Sequence, residues 1–140
     1  MFNTVVKFGT YPTNVKRGIV CLTLGWIMHL VVYFNYFTGE ALVRDNYLMA
    51  AVGIAICYFV ASINTWARAL SLFFNLGMLV IYLALLVFPV EGLGPLVPIT
   101  VIALFALATY FLLHKDVAEF FRSFNAGEAQ GGEEKDKPVP

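Results

Sequence analysis

Four stretches of this chain carry no Asp, Glu, Lys or Arg, and each is as long as a bilayer core is thick. Gly18 to Gly39 covers 22 residues, Asn46 to Ala67 another 22, Ala69 to Val90 another 22, and Gly92 to His114 covers 23. A helix needs about 20 apolar residues to cross a hydrocarbon core about 30 Å thick. The alternative is a soluble protein with four helices apolar on every side. It would need a polar coat that a chain of 140 residues does not have. Charged residues make up 13% of the chain, against about 25% in soluble domains. The pattern predicts an all-α integral membrane four-helix bundle, with helices at about 14–38, 47–63, 66–88 and 98–113. Lys16 and Arg17 precede an apolar stretch, as in a secretion signal. That stretch outruns a signal's apolar core of about 7–15 residues and no small-residue cleavage site follows, so the first helix is expected to stay in the protein.

Four crossings return the chain to the side it started from. That side would hold Lys7, Lys16, Arg17, Arg68, Lys115, Arg122, Lys135 and Lys137, and the other side Arg44 alone, eight cations against one. Dropping the distal Lys135 and Lys137 leaves six against one. By the positive-inside rule both termini are expected in the cytoplasm, in a single orientation.

Residues 1–12 are mixed and aromatic-rich, with Phe2, Val5, Val6 and Phe8 expected at the headgroup boundary. Pro12 breaks this segment, and Thr13 or Asn14 is placed to cap the first helix. Tyr33, Phe34, Tyr36 and Phe37 form an aromatic belt at its outer end. Residues 39–46 are read as the first outer loop. A tight turn leads to the third helix, with Asn64 or Thr65 as cap and Trp66 at the interface. Arg68 lies in the first turn of that helix, where a cation opposes the helix dipole; lipid phosphate or a cytoplasmic carboxylate is the expected compensation. Lys16, Arg17, Trp66, Arg68 and Lys115 are the expected membrane-interface anchors. After Pro89 comes a short apolar outer loop. Beyond the fourth helix, Val117, Phe120, Phe121 and Phe124 recur at i, i+3, i+4 and i+7, which predicts an amphipathic helix over 115–124 with its phenylalanine stripe in the bilayer interface. Residues 125–140 read as a disordered tail.

An ionisable residue inside a membrane is by default a candidate for function. None of the four windows holds a carboxylate, lysine or arginine, so a proton-coupled exporter built on a membrane carboxylate is excluded. His29 is the candidate that remains, about 18 Å beyond Arg17 along a helix. Gly18, Cys21, Gly25, His29, Val32 and Tyr36 share one stripe, and small residues on such a stripe mark close helix packing. Ala67, Ser71, Asn75, Met78 and Tyr82 share a face of the third helix, and Gly53, Cys57 and Ala61 a face of the second. His29, Asn75 and Tyr82 form the candidate intramembrane polar site, with Asn75 expected to approach His29. The favoured role for these groups is hydrogen bonding between helices, worth about 0.6 kcal/mol per bond.

No cofactor or metal site is expected. His29 and His114 differ in depth by roughly 15 Å, too far to share one iron. Cys21 and Cys57 lack a Cys-x-x-Cys pattern and read as packing residues. No nucleophile–base pair, phosphate loop or zinc spacing is present, so no enzymatic activity is expected. A net charge of zero gives no reason to expect nucleic acid.

Two segments carry a family resemblance. Tyr11–Trp26 (YPTNVKRGIVCLTLGW) has a proline and a short basic stretch leading into the first helix, and Asn64–Val80 (NTWARALSLFFNLGMLV) opens the third helix with Asn-x-Trp-Ala-Arg. The chain resembles a group of small bacterial inner-membrane proteins with four transmembrane helices and no established activity. The resemblance implies topology and a bacterial cytoplasmic membrane, and no chemistry. The leading expectation is a non-enzymatic scaffold, accessory subunit or interaction partner. Its partners would be the lipid bilayer and either a second copy of the chain or another membrane protein. The alternative is a small-solute transporter or channel component with a polar path near His29.

Overall fold

The computed structural model describes residues 9–36 and 43–133, with side chains over 9–36 and 47–124. Among them are five helices and no strand: α1 Thr13–Tyr36, α2 Val43–Ala61, α3 Thr65–Val87, α4 Leu96–Leu113 and α5 Lys115–Glu133. Three of these, α1, α3 and α4, are long and apolar enough to cross a membrane. The apolar part of α2 is Tyr47–Ala61, about 22 Å at 1.5 Å per residue, which is shorter than a bilayer core. The expected interfacial residues 1–8, the end of the expected first helix with Phe37 (37–38), the first half of the expected outer loop (39–42) and the distal tail (134–140) lie outside the described residues.

Each helix begins and ends for a local reason. Pro12 contributes the first helical carbonyl of α1, accepting from Lys16 N–H at 3.1 Å. The helix therefore starts at Thr13, and Pro12, not Thr13 or Asn14, holds the capping position. α2 begins at Val43, earlier than expected, because Arg44 and Asp45 join the helix instead of forming loop. It ends in a six-residue wrap: Ile63 N–H bonds Val60 O at 3.0 Å and Asn64 N–H bonds Phe59 O at 3.2 Å. That pairing is the Schellman termination. It puts Ile63 at φ 57°, a conformation that costs a β-branched residue about 1–2 kcal/mol. The fully buried Ile63 side chain offsets that cost. Asn64 precedes α3 in the capping position, with extended backbone and no side-chain cap bond. α4 starts at Leu96, two residues before the expected position, because Pro95 already has helical angles (φ −63°, ψ −21°). Pro98 falls in the first turn, where its missing N–H leaves no bond unmade. Gly92, at φ 83°, supplies the positive-φ residue of the α3–α4 loop.

The core forms where small residues let backbones approach. A Cβ on Gly18 would lie 3.3 Å from Leu112, one on Gly25 3.3 Å from the Phe105 ring, and one on Gly53 2.5 Å from the Trp26 ring. The stripes on α1 and α2 thus seat α4 and the Trp26 indole. The face of α3 read from its spacing, Ala67, Ser71, Asn75, Met78 and Tyr82, is the buried face. The opposite surfaces are apolar as well: Leu48, Ile54, Phe73 and Tyr110 are each more than 60% exposed. Side chains of this size left uncovered around helices of this length fit a lipid environment.

At the end holding the start of α1, the α2–α3 turn and the close of α4, the chain folds back. His114 ends α4 (φ −57°, ψ 139°), and its carbonyl accepts the first bonds of α5, from Val117 and Ala118 N–H at 3.1 Å each. Val117 and Phe121 of α5 are fully buried, while Phe120 and Phe124 are half-buried. Protein thus covers Val117 and Phe121 of the stripe expected in the bilayer interface, while Phe120 and Phe124 keep part of their surface uncovered. Periodicity reports an apolar face but does not say what covers it. α5 also continues to Glu133, so the tail expected from residue 125 starts in helix; Ala126, Glu128, Ala129 and Gln130 are strong helix formers.

Candidate intramembrane polar site

Trp26, His29 and Tyr33 project from successive turns of α1. Tyr82 meets them from α3: its hydroxyl lies 3.0 Å from His29 Nδ1, the two side chains being 1% and 6% exposed. Either group can donate in this bond, depending on the imidazole tautomer. The rings meet nearly at right angles, with centroids 5.8 Å apart. Trp26 stands edge-on to the same imidazole at 5.6 Å and edge-on to Phe105 of α4 at 6.0 Å. The imidazole is therefore held in place by α1, α3 and the Trp26 ring.

Asn75 does not join this group. It lies two turns from Tyr82 on α3, about 10 Å along the axis, and its Nδ2 donates to Thr109 Oγ1 of α4 at 3.2 Å. Thr109 in turn donates to Phe105 O at 2.8 Å. The expected approach of Asn75 to His29 is thereby corrected: the polar interior is two separate pairs, His29–Tyr82 joining α1 to α3 and Asn75–Thr109 joining α3 to α4. Sequence reading missed Thr109. The available signal was its place next to Ala108 in an otherwise apolar inner half of α4.

Hydrogen bonding is incomplete in this interior. His29 Nε2, Trp26 Nε1 and Asn75 Oδ1 are buried without a hydrogen-bond partner. A buried polar atom left unpaired costs about 1–3 kcal/mol, so these atoms mark where the packing is unfinished. Beside His29 is a cavity of about 210 Å³, lined by Val32 and Tyr33 of α1, Met49 of α2, and Met78, Ile81, Tyr82 and Leu85 of α3.

The expected interface anchors gather at the opposite, basic end. Arg17 and Lys115 are exposed. Lys16 Nζ donates to Gly9 O at 2.6 Å. Trp66 is 55% exposed and packs on Phe59 at 5.1 Å between centroids. Arg68 opposes the dipole of its own helix and is compensated by another: its Nη1 donates to Leu112 O in the last turn of α4 at 3.1 Å. Its guanidinium lies 5.9 Å from the Phe121 ring centroid on α5. The negative end of α4 thus does what lipid phosphate or a carboxylate was expected to do. Tyr11 does the same for α2, its hydroxyl donating to Ala61 O at 3.3 Å while its ring stands edge-on to Phe120 at 5.7 Å. His114 Nδ1 lies 3.3 Å from Asp116 Oδ2, an ion-pair distance without hydrogen-bond geometry.

Cys21 and Cys57 are free thiols. Among the described residues no three His, Cys, Asp or Glu side chains converge as a metal site. In comparisons with known proteins, no family model, no curated protein and no solved structure matches this chain.

Proposed function

We propose that this chain is a four-span component of a bacterial cytoplasmic membrane, with both termini in the cytoplasm, acting as a non-enzymatic scaffold or accessory subunit. The carrying observation is how its interior polar groups are used: His29–Tyr82 and Asn75–Thr109 join helices, and the sequence of the four windows contains no Asp, Glu, Lys or Arg. Groups spent on fixing helix positions are what a packing partner needs. The exposed apolar faces of α2 and α3 give lipid, a second copy of the chain or another membrane protein a surface to pack on.

The proposed topology rests on charge. Lys16, Arg17, Arg68, Lys115 and Arg122 lie at one end, and Arg44 begins α2 at the other. α2 crosses as the span with the shortest apolar stretch, a mismatch a bilayer meets by local thinning and by snorkelling of flanking residues. The bacterial assignment rests on the resemblance at Tyr11–Trp26 and Asn64–Val80. Purification in mild detergent after crosslinking tests the scaffold role: the expected result is a discrete assembly with itself or another membrane protein, and a strictly monomeric chain with no partner contradicts it.

One observation favours a small-solute transporter or channel component as a second reading: His29 Nε2 is unpartnered and His29 lines a cavity. Replacing His29 by Leu separates the two. Lost solute movement in a protein of unchanged stability supports transport, whereas lowered stability with no transport phenotype supports packing.

A further inference from the structure

We infer that Arg68 of α3 and Arg122 of α5 together bind the phosphodiester of an anionic phospholipid, which bridges the two helices at the basic end of the bundle. The site rests on the membrane-spanning reading, in either orientation, and not on the scaffold role. Arg122 follows Phe121, whose ring centroid lies 5.9 Å from the Arg68 guanidinium, and it is close enough to repel that guanidinium. Two cations on different helices are thus held near one another. No carboxylate answers them. Among the described residues the ion pair at this end is His114–Asp116. Glu119, one turn before Arg122, stands exposed without an ion pair.

The Leu112 carbonyl answers only part of this charge. It accepts from one N–H group of Arg68, while Arg68 Nε is buried without a partner. The C-terminus of α4 is equivalent to about half a negative charge, and the N-terminus of α3 beside Arg68 to about half a positive one. Those two cancel, and both guanidinium charges remain. An anion between them removes a repulsion that works against the seating of α5. Each guanidinium is a planar fork suited to phosphate oxygens.

The surroundings select a lipid over a free ion. Arg68 lies in the first turn of α3, where the uncharged stretch from Ala69 begins, the depth at which headgroups meet hydrocarbon. Trp66 in the same turn is 55% exposed, and Leu113, next to the carbonyl that Arg68 holds, is 61% exposed. An acyl chain leaving the phosphate therefore meets apolar surface. A net negative headgroup is preferred over a zwitterionic one, because choline brings a further cation to the pair.

The test uses the full chain in nanodiscs of phosphatidylcholine, alone or mixed with phosphatidylglycerol, and follows amide hydrogen exchange along α5. Phosphatidylglycerol should slow exchange over 117–124 by about tenfold, the weight of one charge-assisted hydrogen bond, and leave the middle of α1 unchanged. Arg122 is exposed, so Arg122→Gln should fold and lose this response. Lys115→Gln removes an exposed cation of the same helix outside the pair and should keep it. Native mass spectrometry should find a phosphatidylglycerol retained on the unaltered chain and lost from Arg122→Gln. Exchange indifferent to phosphatidylglycerol, or an equal loss of response in both variants, overturns the proposal. So does the same slowing by millimolar inorganic phosphate in phosphatidylcholine discs, which would assign the pair to a soluble anion. A chain that does not enter the discs fails the membrane reading, and the site with it.

Discussion

The two ends of this molecule are built differently. At the basic end Val15, Ile63, Leu112, Val117 and Phe121 are all fully buried, and two helix C-termini are closed by side chains from elsewhere, α4 by Arg68 and α2 by Tyr11. Toward the opposite end the His29–Tyr82 pair borders a cavity and leaves a nitrogen unbonded, and Val87, Phe88 and Leu96 are each about 70% exposed or more. Where termini are capped and rings interlock, a single arrangement is enforced. Where a polar pair sits beside empty space, the helices retain room to adapt or to admit a guest.

Truncation at the basic end should therefore cost more than truncation of the polar pair. Phe121→Ala empties a fully buried ring site and removes the surface under Arg68; a loss of about 3–5 kcal/mol is expected, measured by denaturant unfolding in micelles. An effect below that of Tyr82→Phe would reverse the comparison. Arg68→Ala uncovers the Leu112 carbonyl and should cost about 1.5–3 kcal/mol, the range for hydrogen bonds to charged groups. The damage should be local, with amide exchange accelerating in α5 and the end of α4 while the middle of α1 stays protected. Gly53→Ala sharpens the contrast midway along the bundle. Its new Cβ collides with the Trp26 ring, and overpacking of this kind costs about 1–3 kcal/mol, seen as a lower melting temperature and a shifted Trp emission. Tyr82→Phe is expected to have the smallest effect, about 0.6 kcal/mol, and to change the His29 ring ¹⁵N signals more than it changes stability.

Three long apolar helices, α1, α3 and α4, and the buried face of α3 were legible in the sequence, because burial in a helix repeats every three to four residues. Ala67, Ser71, Asn75, Met78 and Tyr82 could be named from spacing alone, and the glycines of α1 and α2 marked the close contacts. What covers a face was not legible. Val117 and Phe121 read as facing the bilayer interface, and it is the reversal at His114 that turns them onto protein. Nor was pairing across helices: whether Asn75 meets His29 or Thr109 depends on which helices are neighbours at its depth, and no local pattern encodes that. Ile63 shows a third limit. A Schellman turn is announced by glycine or asparagine, and here a buried isoleucine takes the left-handed position because its side chain is needed in the core. The start of α2 was hidden for a related reason: Arg44 and Asp45 read as loop but continue the helix.

The account stands on four crossings with the basic end inside, and α2 is the span on which that count turns. Reporters active only in the periplasm or only in the cytoplasm, fused in turn before Thr13, at Ser62 and after the end of the chain, measure it directly. All three fusions should report the cytoplasm. A Ser62 fusion that reports the periplasm, or chain ends that report opposite compartments, contradicts it.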